Sequence, residues 1–343
     1  LATTTAAGNV VIGNDAINTG VFTGDNNVVI GKLAGQDLTS AADNVLVGKN
    51  AGYNTTTGAN NVSLGSISLE ANTTGSRNTA IGAESMNDNT TADNNTAIGY
   101  ASLSKNTTGT SNTALGWAAL EVNTTANDNV AVGHAAARSN TTGTRIIAIG
   151  YAALDGQDTE NDNIAIGFNA MTTNNAGGEQ NVVVGNYAGD AITSGDGNTA
   201  FGHLAGTVIT TGGNNTCIGL QSGSALTSGD NNVCIGVQAG AVSTGSNQLY
   251  IARDNSNQGN NPVWIYGDGS GNVVQGNNAT AWSQASDERI KKNIVDSSDG
   301  LAKINALQVR NFEYRTEEEI TVDGLSGIYK AGTHVGAIAQ EVE

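Results

Sequence analysis

An apolar residue directly before a glycine recurs at a nearly constant spacing along residues 1–242. The spacing is 17 residues, with two intervals of 18 residues. We number the fourteen repeats as coils 1 to 14 in chain order, each by its glycine: Gly13, Gly31, Gly48, Gly65, Gly82, Gly99, Gly116, Gly133, Gly150, Gly167, Gly185, Gly202, Gly219 and Gly236. A repeat of this length indicates a solenoid, in which each unit is too small to hold a core alone and stacks on its neighbours.

A short strand is predicted immediately before each glycine. Its last residue is large and apolar, such as Ile12 or Leu115, and the residue two before that is Val, Thr or Ile, such as Val10 or Thr79. Because side chains alternate along a strand, these two positions share one face, which we expect to point into the interior. The other face carries a small residue and, in every coil but one, an Asn four residues before the glycine; Ile146 is the exception. This small, flat face is suited to close packing.

The remainder of each coil is small and polar. Three residues after the glycine the residue is Ala or Ser in all fourteen coils, and an Asn/Thr/Gly loop closes the coil. Coils stacked at the strand spacing of about 4.8 Å would form a rod of roughly 60 Å, with the asparagines in a ladder along it. The sequence therefore predicts an all-β fold, a parallel β-solenoid of 17-residue coils.

The residue just after the glycine carries an aromatic ring in five successive coils, although Phe, Trp and Tyr form only 4% of the chain. We call this set the aromatic column: Tyr100, Trp117, His134, Tyr151 and Phe168. One interpretation is a receptor contact, a sugar-binding platform, since aromatic faces and amide side chains suit carbohydrate. The other is a stacked ladder that seals the joint between subunits, and we favour this second interpretation.

Composition and charge exclude several classes of partner. With 14 basic and 31 acidic residues the formal charge is −17, which repels the phosphates of nucleic acid, so no nucleic acid is expected. No stretch approaches the roughly 20 apolar residues of a membrane helix, so no membrane insertion is expected. Cys217 and Cys234 are the two cysteines, and they occupy the same position in adjacent coils, where packing is their expected role. His134 and His203 lie four coils apart, and we expect neither metal nor cofactor.

The repeats resemble a known family of surface proteins. The segments "NTAIGYASL" from Asn95 and "NTALGWAAL" from Asn112 are similar to the left-handed parallel β-roll heads of trimeric autotransporter adhesins. The resemblance covers residues 1–242, although the unit of 17 residues is longer than the family's. It implies left-handed winding and a homotrimer whose three rolls pack around one axis, burying the small strand face.

After coil 14 the period fails. Residues 243–282 read as short strands separated by Asn/Gly turns, which predicts a β-rich connector. Charge then rises over residues 283–343, where Leu301–Leu307 has a helical pattern and Val309–Tyr314 an alternating strand pattern. We therefore expect three parts: repeats, connector and a partial α+β domain.

The last part resembles the C-terminal intramolecular chaperones of phage tail fibres and endosialidase tailspikes. The motifs are "SDERIKKNI" from Ser286, "LAKINAL" from Leu301, "NFEYR" from Asn311 and "HVGAIAQEVE" from His334, and they correspond to the N-terminal part of that domain. The resemblance implies a chaperone that assists trimerisation and then cleaves itself off with a serine/lysine dyad.

Carried over onto this sequence, the dyad is Ser286 and Lys291, with the cut between Ala285 and Ser286. A lysine whose pKa is lowered by burial can take the proton of a serine that is otherwise a weak nucleophile. In the alternative, Ser286 caps a helix whose first turn holds Asp287 and Glu288. The two roles are compatible.

Together these features predict a receptor-binding bacteriophage tail fibre in the virion. Its expected partners are two further copies of itself, a glycan or protein receptor on the host cell surface, and other tail proteins. One self-cleavage and no reaction on external substrates is expected. The alternative is a trimeric adhesin of the bacterial cell surface without proteolytic activity. A polysaccharide-degrading tailspike would require paired carboxylates, and the repeats show no such pair.

Overall fold

The computed structural model describes residues 6–156, 158–173, 177–240, 245–252, 263–267, 273–275, 310–312 and 334–336. The chain divides into two compact units, residues 1–282 and 283–343, which are described separately. In these described segments nineteen short strands are present and no helix. The predicted helix at 301–307 lies outside them.

Each of the fourteen coils contributes one strand of three residues. The strands are β1 (Val10–Ile12), β2 (Val28–Ile30), β3 (Val45–Val47), β4 (Val62–Leu64), β5 (Thr79–Ile81), β6 (Thr96–Ile98), β7 (Thr113–Leu115), β8 (Val130–Val132), β9 (Ile147–Ile149), β10 (Ile164–Ile166), β11 (Val182–Val184), β12 (Thr199–Phe201), β13 (Thr216–Ile218) and β14 (Val233–Ile235). Each pairs in parallel with the strand of the next coil. The predicted parallel β-solenoid is confirmed, whereas its left-handed winding stays a prediction.

The sheet continues beyond the last coil and then reverses. Strand β15 (Leu249–Ala252) is still parallel to β14, whereas β16 (Val263–Gly267) and β17 (Val273–Gln275) are antiparallel to their predecessors. The Tyr250 side chain is buried beneath coil 14, where it stands in register with Cys234. In the second unit, β18 (Arg310–Phe312) and β19 (His334–Gly336) form an antiparallel pair, and β18 lies within the stretch 309–314 predicted as strand.

The strand faces are the reverse of the prediction. The middle residue is fully buried in strands β2–β14, as at Ala97 and Ala114, and partly buried at Val11 in β1. In contrast, Leu115 is 43% exposed and Ile12 is 58% exposed. The expectation that the large apolar face points into the coil is therefore wrong, and so is the expectation that the small face packs on a neighbouring chain. The reason is the narrow coil, whose interior is already filled by the middle strand residue, the Asn and residues of the opposite wall such as Leu103, so the other large strand residues point outward.

Two positions on opposite walls of the coil fill this narrow core together. Where the middle strand residue is Ala or Ser, the residue four after the glycine is a buried Leu or Met in most coils, as in the pair Ala97 and Leu103. Where the strand residue is larger, as in Leu46 or Cys217, that partner position is glycine in five of six coils, here Gly52 and Gly223; in coil 1 Val11 is paired with Ile17. The predicted small residue three after the glycine is confirmed as buried in all fourteen coils.

Stacked glycines form one corner of the solenoid. Gly116 has φ +140°, and a Cβ added to it would lie 2.3 Å from the carbonyl oxygen of Gly133 on the next coil. A side chain cannot occupy that space, which explains why this position is glycine in every coil.

The predicted asparagine ladder is confirmed. Asn112 is typical: its amide nitrogen Nδ2 donates to the Ala126 carbonyl at 2.8 Å, and its Oδ1 accepts the backbone N–H of Asn129 on the next coil at 3.1 Å. Each buried amide thus satisfies backbone groups of two coils, which removes the cost of burying them unpaired.

A second ladder was not predicted. In each link, the Nδ2 of one Asn donates to the Oδ1 of the Asn one coil earlier, at 2.9–3.1 Å. The members are Asn72, Asn89, Asn106, Asn123 and Asn140. Their Asn-Thr-Thr sequences match the glycosylation sequon, but every one of these side chains is buried, so they are structural.

Candidate interaction surface

The outer strand face is the first and third residues of strands β1–β14, and it is almost entirely apolar. Thr residues are its polar members, and the rest are Val, Ile, Leu and Phe. Many of these side chains are strongly exposed, up to 58% at Phe201. A continuous apolar stripe of this kind on a protein surface marks a site of interaction.

The aromatic column lies two residues further along each coil, and four of its rings form a continuous stack. The ring centroids are 4.5 Å apart for Trp117 and His134, 4.9 Å for His134 and Tyr151, and 5.0 Å for Tyr151 and Phe168. The interplanar angles are 11–15°, so each ring covers the face of the next. Tyr151 is 49% and Phe168 40% exposed, and with the faces covered this exposure belongs to the ring edges.

The stack differs from the predicted set at both ends. At one end Phe168 contacts Tyr187 edge-on at 5.3 Å, and Tyr187 contacts His203 at 6.3 Å. Tyr187 was not predicted as a member, because Asn186 takes the place directly after the glycine, where its Oδ1 accepts the Phe168 N–H. The sequence feature that could have revealed Tyr187 is its position, one residue beyond the column position in the next coil.

At the other end, Tyr100 has no ring contact with Trp117 within the described part of the chain. Instead the Tyr100 hydroxyl is hydrogen-bonded to the Glu84 carboxylate, and this bond and the Glu84 charge raise the pKa of Tyr100. Tyr100 thus belongs to the column by position and not by contact.

Ion pairs join neighbouring coils along the surface. Arg145 donates to Asp162 through Nε at 2.6 Å and Nη2 at 2.8 Å, and this hydrogen bonding lowers the pKa of Asp162. Arg138 Nε lies 3.2 Å from Asp155 Oδ1. Burial of the Asp155 carboxyl nevertheless raises its pKa, because this effect is larger than the lowering by the Arg138 charge. The other two pairs are Arg77 with Asp93 and Lys105 with Asp88.

Cys217 and Cys234 lie in register on adjacent strands, and both are buried free thiols. A hydrogen bond between the two side chains, together with burial, raises the pKa of Cys217 well above its usual value. The thiolate is the reactive form, so this environment suppresses reaction at neutral pH. The expected packing role is confirmed.

The predicted cleavage residues Ala285, Ser286 and Lys291 lie outside the described residues, so their roles stay predictions. Among the residues that the structure does describe, no three His, Cys, Asp or Glu side chains come together as metal ligands could. That same part of the chain holds no helix with the length and apolar character needed to cross a membrane.

Comparison with known proteins identifies the C-terminal segment. Residues 286–343 match the family model described as chaperone of endosialidase. Neither the curated proteins nor the solved structures gave a match. The chain therefore combines a parallel β-solenoid with a C-terminal segment similar to this chaperone family.

Proposed function

We propose that the chain is a structural, receptor-binding segment of a bacteriophage tail fibre, that it functions as a homotrimer, and that residues 286–343 assist its assembly. The observation that carries this proposal is the outer strand face, an apolar surface on a rod that is joined to a segment of the endosialidase-chaperone type. A chaperone within the chain suits a fold whose large apolar face must be covered by other copies.

The size of the apolar surface supports the trimer. Thirteen strand spacings give a length of about 60 Å, and the four residue steps from the first strand position to the aromatic column span at most about 13 Å. Their product, roughly 800 Å², equals the area that one partner contributes to a typical stable interface. Residues of this face that stay exposed in one chain, such as Leu115 and Phe201, would be buried between three.

Self-cleavage follows from the residues at the start of the chaperone segment. The Ser286 hydroxyl oxygen attacks the Ala285 carbonyl carbon while its proton passes to the neutral amine of Lys291. As the peptide bond breaks, that proton goes to the Ser286 nitrogen, and water then hydrolyses the ester. Burial of Lys291 during assembly would keep its amine neutral at physiological pH. The reaction occurs once in each chain and acts on no external substrate.

The released fibre would attach the virion to a glycan or protein receptor on the host surface and join other tail proteins at its far end. A bacterial trimeric adhesin without proteolysis is the second candidate. The in-register Asn-Thr-Ala-Ile-Gly repeats favour it as much as they favour the fibre.

The test is the intact mass of the full-length gene product, with gel migration before and after boiling, for the parent, Ser286→Ala and Lys291→Ala. Ser283→Ala, three residues upstream, is the matched control. We expect a cut between Ala285 and Ser286 in the parent and the control, no cut in the other two, and a boiling-sensitive trimer. An uncut parent trimer would replace the phage proposal with the adhesin, and a monomeric parent would reject both.

A further inference from the structure

We propose that the aromatic column is a contact between copies of this chain, in which the ring edges of Trp117, His134, Tyr151 and Phe168 pack against the neighbouring copy. This inference rests on the proposed trimer and names the part of the surface that holds it together. It assigns the column to assembly and not to receptor binding.

The first step is the orientation of the rings. Sugars bind aromatic side chains through the ring face, whose negative charge attracts C–H groups, whereas the ring edge is positive. In the column, His134 is covered on both faces, by Trp117 at 4.5 Å and by Tyr151 at 4.9 Å. Tyr151 is likewise enclosed between His134 and Phe168. The stack therefore offers no inner ring face to a sugar.

The second step is the chemistry of what remains exposed. Aromatic edges carry partial positive charge and pack well on ring faces, carbonyl oxygens and aliphatic side chains of another protein surface. Trp and Tyr, two of the residue types exposed in the column, are among those that most often dominate the binding energy of interfaces between chains. A second protein surface thus fits the stack better than a hydrated glycan does.

The third step is continuity with the outer strand face. Trp117 lies two residues from Leu115 and Tyr151 two residues from Ile149, across the glycine corner, so each pair is separated by at most about 7 Å, the span of an extended chain. All four side chains are more than a third exposed. The column and the strand face therefore form one apolar surface, and a copy that covers the strand face reaches the column as well.

The experiment uses the full-length chain with Trp117→Ala and Tyr151→Ala combined. Thr125→Ala with Thr142→Ala is the matched control, because both threonines are exposed on the loop side of coils 7 and 8. Sedimentation over a concentration series measures assembly. We expect the concentration of half-dissociation to rise about tenfold or more in the aromatic variant, since truncated interface anchors typically cost that much or more, and to stay unchanged in the control.

A second measurement reads the column directly. With Trp264→Phe and Trp282→Phe, Trp117 is the one tryptophan left in the chain. We expect its fluorescence to be blue-shifted and shielded from acrylamide in the assembled protein, and to lose both properties on dissociation.

Four results would overturn the inference. An assembled parent whose Trp117 is freely quenched, or an aromatic variant that assembles as well as the control, would reject the contact while leaving the trimer standing. Loss of binding to host cells or glycans with assembly intact would make the column a receptor site. A monomeric parent would reject the contact together with the proposed trimer.

Discussion

Leu46 and Gly52 share one space in the core of coil 3: a Cβ on Gly52 would lie 2.8 Å from Leu46 Cδ2. In coil 6 the same two positions hold Ala97 and Leu103, both fully buried. The large residue is on the strand in one coil and on the opposite wall in the other. In these two coils the core is filled by the pair together, and either member can supply the large side chain.

The first prediction concerns this pair. Gly52→Leu should destabilise the protein by about 1–3 kcal/mol, because the new side chain overpacks a filled core. Adding Leu46→Ala should restore most of the loss, because the double variant has the arrangement of coil 6. Urea unfolding of the parent, the two single variants and the double variant measures the coupling. Additive losses would show that the two positions do not share one space.

The second prediction concerns the asparagine ladder. Asn112→Ala removes the acceptor of the Asn129 N–H, which is then buried without a partner. It also removes one of the two donors to the Ala126 carbonyl, which keeps the Asn123 Nδ2 at 3.2 Å. We expect a loss of about 3 kcal/mol in the free energy of unfolding. The exposed Thr108→Ala on the loop side should change it by less than about 0.5 kcal/mol. Equal effects from the two changes would deny the ladder a stabilising role.

The third prediction separates steric exclusion from backbone conformation at glycine. Gly116 and Gly20 both have positive φ, but a Cβ on Gly116 would collide with the Gly133 carbonyl oxygen, whereas Gly20 has nothing within 4 Å. Gly116→Ala should therefore abolish folding or lower the unfolding temperature sharply. Gly20→Ala should cost about 1 kcal/mol, the backbone term alone. Similar unfolding temperatures for the two variants would refute the close approach of the coils.

The fourth prediction concerns pH. Burial raises the pKa of Asp155 above its usual 3.8, so the folded chain binds this proton more tightly than the unfolded chain. The stability that Asp155 adds relative to Asn is therefore present below pH 3.8 and lost as pH rises through the raised pKa. Asp162 has the opposite sign: its lowered pKa gives stability that is present above 3.8 and lost as pH falls.

Asp155→Asn and Asp162→Asn are thus matched controls for each other. Urea unfolding of the parent and both variants between about pH 3 and pH 6 should give stability differences that change with pH in opposite directions. Slopes of the same sign would mean that the Arg138 charge, and not burial, governs Asp155.

Most of the fold could be predicted from the 17-residue period of the sequence. It located every strand of coils 1–14, the glycine corner and the first asparagine ladder. It could not say which strand face is inside, because alternation defines two faces without ranking them. The large residues at Ile12 and Leu115 suggested a core, but the interior of the coil is already filled by the middle strand residue and the residue opposite to it, such as Ala97 and Leu103. The sequence feature that would have identified the inner face is the inverse relation between the side-chain volumes of two positions, as in Leu46 with Gly52 and Ala97 with Leu103.

The candidate surface was predicted by position and not by geometry. Equal spacing from Trp117 to Phe168 was sufficient to place the rings on one line. Stacking depends on side-chain torsions, which the sequence does not specify, and Tyr100 satisfies its hydroxyl with Glu84 instead. Tyr187 lies two residues after Gly185, one position beyond the column, and was missed for that reason. The extra residue in coil 10 does not disturb the strands, because Ile164 still pairs with Val182 in register.

That tolerance determines how the length of the solenoid can change. Because all columns repeat in register, gain or loss of one 51-nucleotide block, which encodes the 17-residue period, would reconnect every ladder and move one end by about 4.8 Å. The cross-section, and with it the surface offered to partners, would not change. The distance between the two ends of the solenoid is therefore set by the number of coils.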